Sequence, residues 1–315
     1  MALSKDSFLI RANEYLINLV LRGLLGAALL LPYRWRVPVM GWITAHLIAP
    51  VAGYTRRVRE NLSLVLPDLP KAEVKRLMRA VPDNAGRGMI EMYSTHAFCE
   101  HARHSNVVGP GLDAIHAARD AGRPIIFVTG HFGSFNAARV AMIQHGFEMG
   151  SFYRPLKNRY FNPHYAQAMG ALSQPMFAQG KRGMVEMIKH LKGGGVLAIL
   201  NDLNAHDGVP LQFFGKPALT SLVTAEMALR FDALLVPAWG LRHENGLDFD
   251  VIIETPIAHS DSVTMTQEFN DRLEAMVRQH MDQWFWVHRR WKDGTGFMAD
   301  RGAARVAAMQ GKSTD

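Results

Sequence analysis

Up to residue 106 the apolar positions of this chain recur at helical spacing, and from Gly109 onward they gather into short runs separated by amphipathic stretches. Between residues 71 and 81, Val74, Leu77, Met78 and Val81 form one stripe while Lys71, Glu73, Lys75, Arg76 and Arg79 take the other face. That spacing predicts an amphipathic helix within a helical lead-in over residues 54–106. Its charged face reads as solvated, or as resting on anionic headgroups. After Gly109 the runs IIFVTG at 125–130, GSFY at 150–153, VLAIL at 196–200, ALLVPAW at 233–239 and FDVIIE at 249–254 are of strand type. Helical patterns such as 183–191 and 221–231 lie between them. Buried strands alternating with helices predict an α/β fold with a mostly parallel central sheet flanked by helices.

Two further apolar stretches open the chain. LINLVLRGLLGAALLL at 16–31 is interrupted by Asn18 and Arg22 and ends at Pro32, and a second stretch, 37–53, follows Arg34 and Arg36. A spanning helix needs about 20 mostly apolar residues, and a central arginine is costly there. The pattern therefore predicts membrane-embedded or interfacial helices over residues 1–53 and leaves spanning itself open. Lys5 and Arg11 are not followed by a small-residue cleavage site, so no cleaved signal peptide is expected. The expected organisation is an N-terminal membrane segment at 1–53 and a main domain at 54–298. Within the latter the helical lead-in precedes an α/β core at 107–298, and a mobile tail follows at 299–315.

With 315 residues, 48% of them hydrophobic, the chain can bury one large core or two small ones. The single cysteine, Cys99, excludes an intramolecular disulfide framework and a multi-cysteine metal site, and reads as a packed apolar residue in a reducing compartment. The 35 Lys and Arg against 28 Asp and Glu suit nucleic acid, an anionic membrane surface or a phosphorylated substrate. Zinc-finger spacing, an RNA-binding aromatic motif and dense Lys/Arg tracts are all missing from the sequence, which removes nucleic acid. His101 and His104 have a ligand-like spacing without a third ligand in view, so neither a metal nor a cofactor is expected.

The candidate chemistry centres on IIFVTGHFGSFNAAR at 125–139. A buried strand ending in Thr-Gly would deliver His131 into a strand-to-helix turn, where ligands of parallel sheets bind and the helix N-terminus favours negative charge. A histidine there can take a proton from a hydroxyl and return it to a leaving group near neutral pH. On pattern alone, a packed structural histidine explains the site as well. Gly130 and Gly133 would let a ligand approach the backbone. Arg154, after a short strand, suits a phosphate or a developing oxyanion. Lys157 in the same loop, and Lys181 and Arg182 at the opening of a helix, are further candidates for an anion. Asp202, just past VLAIL, sits at another strand edge.

GHFGSFNAAR resembles the His-x4-Asp/Glu region of glycerolipid-type acyltransferases, in the branch that acylates lipid A precursors. VRENLSLVLPDLP at 58–70, NAGRGMIEM at 84–92, YRPLKNRYFN at 153–162, VPLQFFGKPALTS at 209–221 and WFWVHRRWK at 284–292 resemble further blocks of that family, in its order. The resemblance implies a glycerolipid acyltransferase-like fold with His131 as general base. It implies transfer of a fatty acyl chain, without a covalent enzyme intermediate, from an acyl carrier protein or coenzyme A thioester. The implied acceptor is a hydroxyl of an anionic lipid, a lipid A precursor, with the catalytic domain on the cytoplasmic side of a bacterial inner membrane. Asn136 stands where the family usually has Asp or Glu, and the nearest acid downstream is Glu148. The resemblance makes Asn136 the orienting partner of His131, able to orient but not to neutralise an imidazolium. Low activity, lipid binding without turnover, or an acceptor such as a lyso-lipid or aminolipid are the alternatives. It also gives Arg154 the acceptor side of the cleft and Asp202 a ligand-orienting role, a turn cap being the plainer reading. It leaves FFGKP at 213–217 as a turn walling the acyl cleft, and gives His288 no catalytic part.

Overall fold

The computed structural model describes residues 8–292, so the tail expected at 299–315 lies outside the described residues. The lead-in is helical: α1 (Phe8–Leu29), α2 (Tyr33–Ile43), a π-helical turn (Thr44–Ile48), α3 (Ala49–Val51), α4 (Tyr54–Val65), α5 (Lys71–Tyr93) and α6 (Thr95–Ala102). Pro32 caps α2 with φ of −53°, and Gly53, with φ of +73°, supplies the left-handed turn into α4. In α1 only Asn18 is buried, whereas Phe8 is 75% exposed and Leu9, Leu16, Leu19 and Leu24 also face outward. The same outward apolar surface continues through Leu30, Trp35, Trp42, Leu47 and Val51. No single described helix is long and apolar enough to cross a membrane; Tyr33–Val51 and Tyr54–Val65 reach that length and composition only as a pair bent by 82°.

The core elements follow in order: β1 (Asn106–Val108), α7 (Leu112–Asp120), β2 (Ile125–Thr129), α8 (Phe135–Gln144), β3 (Met149–Tyr153), α9 (Asn162–Gly170), β4 (Met176–Ala178), α10 (Lys181–Lys192) and β5 (Val196–Leu200). After them come β6 (Val209–Phe213), β7 (Lys216–Thr220), α11 (Val223–Phe231), β8 (Leu234–Arg242), β9 (Phe249–Ile253) and α12 (Ser262–Gln279). Seven strands form one sheet in the order β1-β9-β8-β2-β5-β3-β4. All neighbours run parallel except β8 and β9. The fold is therefore mixed α/β with a mostly parallel sheet, as the alternation of runs predicts. β2 shows why its run reads as unbroken: Ile126 and Val128 pack into one core with Leu197, Leu235 and Trp239, and Ile125 and Phe127 into the opposite core with Ala141, Met142 and Phe147. Both faces of a central strand are covered, so neither set of alternate positions is polar.

The stretch expected as a turn at 213–217 is the tip of a separate antiparallel hairpin, β6–β7, with Phe213 opposite Lys216. Phe214 and Gly215 both have positive φ, +53° and +66°, which fits the twist of a two-residue hairpin loop. The Phe214 amide donates to the Glu274 carboxylate of α12, compensating a non-glycine residue in the left-handed region.

One buried ion pair joins the helical lead-in to the sheet. Arg242, the last residue of β8, donates to both carboxylate oxygens of Glu91 on α5, with side-chain exposures of 5% and 1%. Its Nε donates to Asn84 at 2.8 Å, and its guanidinium lies over the Phe249 ring at 4.9 Å. Removing one partner would leave an uncompensated charge in the interior. Arg242→Met is therefore expected to lower the denaturant-unfolding free energy by about 3–5 kcal/mol, with Glu91→Leu/Arg242→Met recovering part of the loss. Equal stabilities of the single variant and the parent would show that the pair carries nothing.

Candidate active site

The sheet register builds the site. β2 and β5 pair with Ile125 opposite Val196 and Thr129 opposite Leu200, and the Asn201 amide continues the ladder to the Thr129 carbonyl at 2.9 Å. Two residues beyond each strand, the same offset sets His131 against Asp202. His131 Nδ1 and Asp202 Oδ1 are 2.8 Å apart, and the His131 backbone N–H donates to Oδ2 at 2.8 Å. Trp284 Nε1 also donates to Oδ2, at 2.9 Å. A Cβ at Gly130 would lie 3.1 Å from that oxygen, so glycine leaves the carboxylate room to approach.

Asp202 has no solvent exposure, while the His131 side chain is 27% exposed. Burial by itself pushes the Asp202 carboxyl up, but the His131 charge and hydrogen bonds, with His288 beyond, hold it well below the usual carboxylate range. It is ionised at neutral pH. A carboxylate only accepts, so Nδ1 of His131 carries the proton and Nε2 keeps its lone pair as the basic atom. The arrangement is a histidine base with a buried carboxylate that can stabilise the imidazolium, without an attached nucleophile.

A strap after α12 holds this turn from the other side. The Phe285 amide donates to the His131 carbonyl at 2.9 Å, and the Gly133 amide donates to the Gln283 carbonyl at 2.8 Å. The Gln283 side chain exchanges hydrogen bonds with the backbone of Arg242, at 2.9 and 2.8 Å. The His288 ring stands edge-on to His131, 4.6 Å between centroids, and its buried Nε2 has no hydrogen-bond partner among the described residues. Burial, then the charges of His131 and Arg290, push its pKa down to about 4 against the opposing pull of Asp202. Arg290, fully buried, donates to the Leu219 carbonyl at 2.7 Å and to Thr220 Oγ1 at 2.6 Å, and burial lowers its pKa to about 10. Trp284 and His288 are site residues that the sequence reading missed. The alternation in WFWVHRRW was visible, but that its aromatics reach back to a strand edge 82 residues earlier was not.

The remaining expected residues divide. Asn136 is not the partner of His131: its Oδ1 accepts from Arg139 Nη1 at 3.1 Å, and both residues are buried on α8. Asp202, expected to touch ligand, is sealed behind His131 and acts as that partner. Gly133 has φ of +52°, and a Cβ there would come within 2.0 Å of the Gly240 carbonyl, so its close approach is to β8 and not to a ligand. Arg154 and Lys157, after β3, and Lys181 and Arg182, at the start of α10 after β4, are exposed. Because β2, β5, β3 and β4 run parallel, these four lie along the same C-terminal edge as His131 and Asp202. Arg182 pairs with Glu186 at 2.9 Å, and no hydrogen bond or ion pair joins any of the four to the dyad. Beside them, Arg159 and Asn158 hold Glu14 of α1 at 2.9 and 2.8 Å, which ties the exposed helix to this edge.

The family described as bacterial lipid A biosynthesis acyltransferase matches residues 4–293. Among curated proteins, a phosphatidylinositol mannoside acyltransferase of Mycobacterium tuberculosis (strain ATCC 25618 / H37Rv) is 24% identical over 269 residues, 82% of each chain. A lipid A biosynthesis lauroyltransferase of Escherichia coli (strain K12) is 25% identical over 245 residues, 75% of this chain and 78% of that one. A lipid A biosynthesis acyltransferase of Haemophilus influenzae is 23% identical over 180 residues, 56% of each.

His131→Ala and Asp202→Asn are each expected to lower kcat by about 10³–10⁴, with the double variant no slower than the slower single one, because the two act as a unit. Asn136→Asp is expected to pair with Arg139 and change kcat by less than about threefold; a gain of about tenfold or more would return the orienting role to residue 136. His288 is held neutral in the folded chain below its ordinary value of 6.5, so the unfolded chain binds the extra proton between that pH and about 4. Stability is present above pH 6.5 and falls as pH drops toward about 4, and His288→Gln should flatten that slope in denaturant melts at stepped pH.

Proposed function

The chain belongs to the bacterial lipid A biosynthesis acyltransferase family and is an acyltransferase, and we propose that it acylates a hydroxyl of a lipid A precursor at the cytoplasmic face of the inner membrane. The His131–Asp202 pair carries this reading. Nε2 of His131 takes the proton from the acceptor hydroxyl as its oxygen attacks the thioester carbonyl, and the buried Asp202 carboxylate balances the imidazolium. Collapse of the tetrahedral intermediate breaks the C–S bond, and the proton on Nε2 passes to the departing thiolate. The donor is an acyl carrier protein or coenzyme A thioester; the basic balance of the chain favours the acidic carrier. Arg154, Lys157, Lys181 and Arg182, exposed on the same sheet edge, serve the phosphate groups of the acceptor.

The many outward apolar side chains from Phe8 to Val51, two tryptophans among them, support an interfacial seat on the bilayer, since a membrane boundary accepts such surface. Sequence likeness to the M. tuberculosis phosphatidylinositol mannoside acyltransferase over 82% of the chain favours a second acceptor of the same general kind, a mannosylated anionic phospholipid. The alternative of a weak, lipid-binding family member rested on Asn136; the contact of His131 with Asp202 supports turnover instead.

Purified protein given acyl carrier protein and coenzyme A thioesters with each acceptor is expected to consume thioester at a rate that His131→Ala abolishes. Lipid mass spectra of a strain lacking the gene are expected to show lipid A short of one acyl chain. Unchanged lipid A there, with transfer intact in the purified assay, would pass the acceptor role to the mannosylated lipid.

A further inference from the structure

A cleft of about 1220 Å³ lies apart from His131. One wall is a face of α5, where Lys75, Arg79, Asp83 and Arg87 follow at helical spacing; the facing wall is the turn between β8 and β9, and Gln283 of the strap closes the floor. The strap therefore separates this cleft from the dyad, and no residue of the dyad lines it. Pro38 of α2 and His46 of the following π-helical turn form another edge, and the His46 ring stacks on Trp42, 4.9 Å between centroids. Trp42, 54% exposed, and Leu47, 57% exposed, belong to the outward apolar surface, so the cleft opens beside it.

The charges of the cleft are unevenly matched. Arg76 pairs with Glu73, Arg87 with Asp83, and Arg242 with Glu91. Lys75 and Arg79 are exposed, one turn apart on the same helix face, and neither side chain has a hydrogen-bond or ion-pair partner among the described residues. Two like charges at that spacing cost helix stability, and the acid four residues on from Arg79, Asp83, is engaged by Arg87. On the opposite lip Glu244 is the lone exposed acid without an ion pair among the described cleft residues, so the surplus on the α5 wall is positive.

We propose that this cleft is a second anion site, which holds the phosphodiester headgroup of an anionic bilayer lipid on Lys75 and Arg79 while Trp42 and Leu47 enter the adjoining interface. The bound lipid is not the acyl acceptor, because neither residue of the dyad lines the cleft, which lies behind the strap. It fixes how the enzyme sits on the membrane, with the helical lead-in pressed to the surface by charge as well as by apolar contact. The proposal rests on the membrane seating given above, and the two fail differently.

The test is co-sedimentation of the full chain with large unilamellar vesicles of phosphatidylcholine, with and without phosphatidylglycerol, at constant ionic strength. Lys75→Ser/Arg79→Ser is expected to weaken binding to the phosphatidylglycerol vesicles about twentyfold, and to leave turnover of a monomeric short-chain substrate unchanged. Lys189→Ser/Lys192→Ser, the same loss of charge on the last turn of α10, should weaken it less than about twofold. Equal losses in the two variants would mean a diffuse charge effect and overturn the site. Undiminished binding by Lys75→Ser/Arg79→Ser overturns the cleft and spares the membrane seating, whereas failure of the parent to bind either vesicle overturns both. Displacement from phosphatidylglycerol vesicles by inorganic phosphate, but not by chloride of equal ionic strength, would assign the cleft to free phosphate and overturn the lipid.

Discussion

A carboxylate with no exposure to solvent stays ionised only if the fold surrounds it with donors and positive charge, and Asp202 is the group on which this site depends. Three donors reach it: the ring and the backbone of His131, and the indole of Trp284. They come from the end of β2 and from the strap after α12, so with Asp202 itself, past β5, three distant segments of chain must be in place before the charge is tolerable. The dependence runs the other way too. Without the carboxylate, nothing in the turn fixes which nitrogen of His131 carries the proton, and the base loses its orientation.

The strap that brings Trp284 is itself held from the helical half of the molecule. Gln283 pairs with the backbone of Arg242, whose guanidinium is held by Glu91 and Asn84 of α5. Gln283 also receives the Gly133 amide from the turn that carries His131. One chain of buried and half-buried polar contacts therefore runs from α5 through the end of β8 to the turn that carries His131. The helical lead-in and the turn that carries His131 are thereby tied together through the end of β8 and the strap.

Much of the core was legible because its signal is local. The runs at 125–130, 196–200 and 233–239 became β2, β5 and β8, and the α10 and α11 patterns were placed within about two residues, a spread usual for helix ends. The strands β1, β4, β6 and β7 were missed: two are three residues long, and the hairpin pair alternates with polar positions and is interrupted by Pro210 and Pro217. His131 was found from its place after a buried strand. Its partner was not, because a sequence motif measures distance along the chain, whereas β2 and β5 set the register across 71 residues. Once that register is known, His131 opposite Asp202 follows by counting two residues past each strand.

That difference also explains Asn136. Position 136 lies in the first turn of α8, three residues from Arg139, and the pair shares a buried face of that helix. Arg139 has the Ser173 carbonyl and the Asn136 amide oxygen as its oxygen acceptors, and burial lowers its pKa to about 10, leaving it a cation at neutral pH. An acid at this position would lie within reach of Arg139 as a counterion. The amide here gives up that ion pair and keeps the hydrogen bond, which a buried guanidinium still needs. Along the sequence Asn136 stands five residues from His131; across the fold its hydrogen bond goes to a buried arginine.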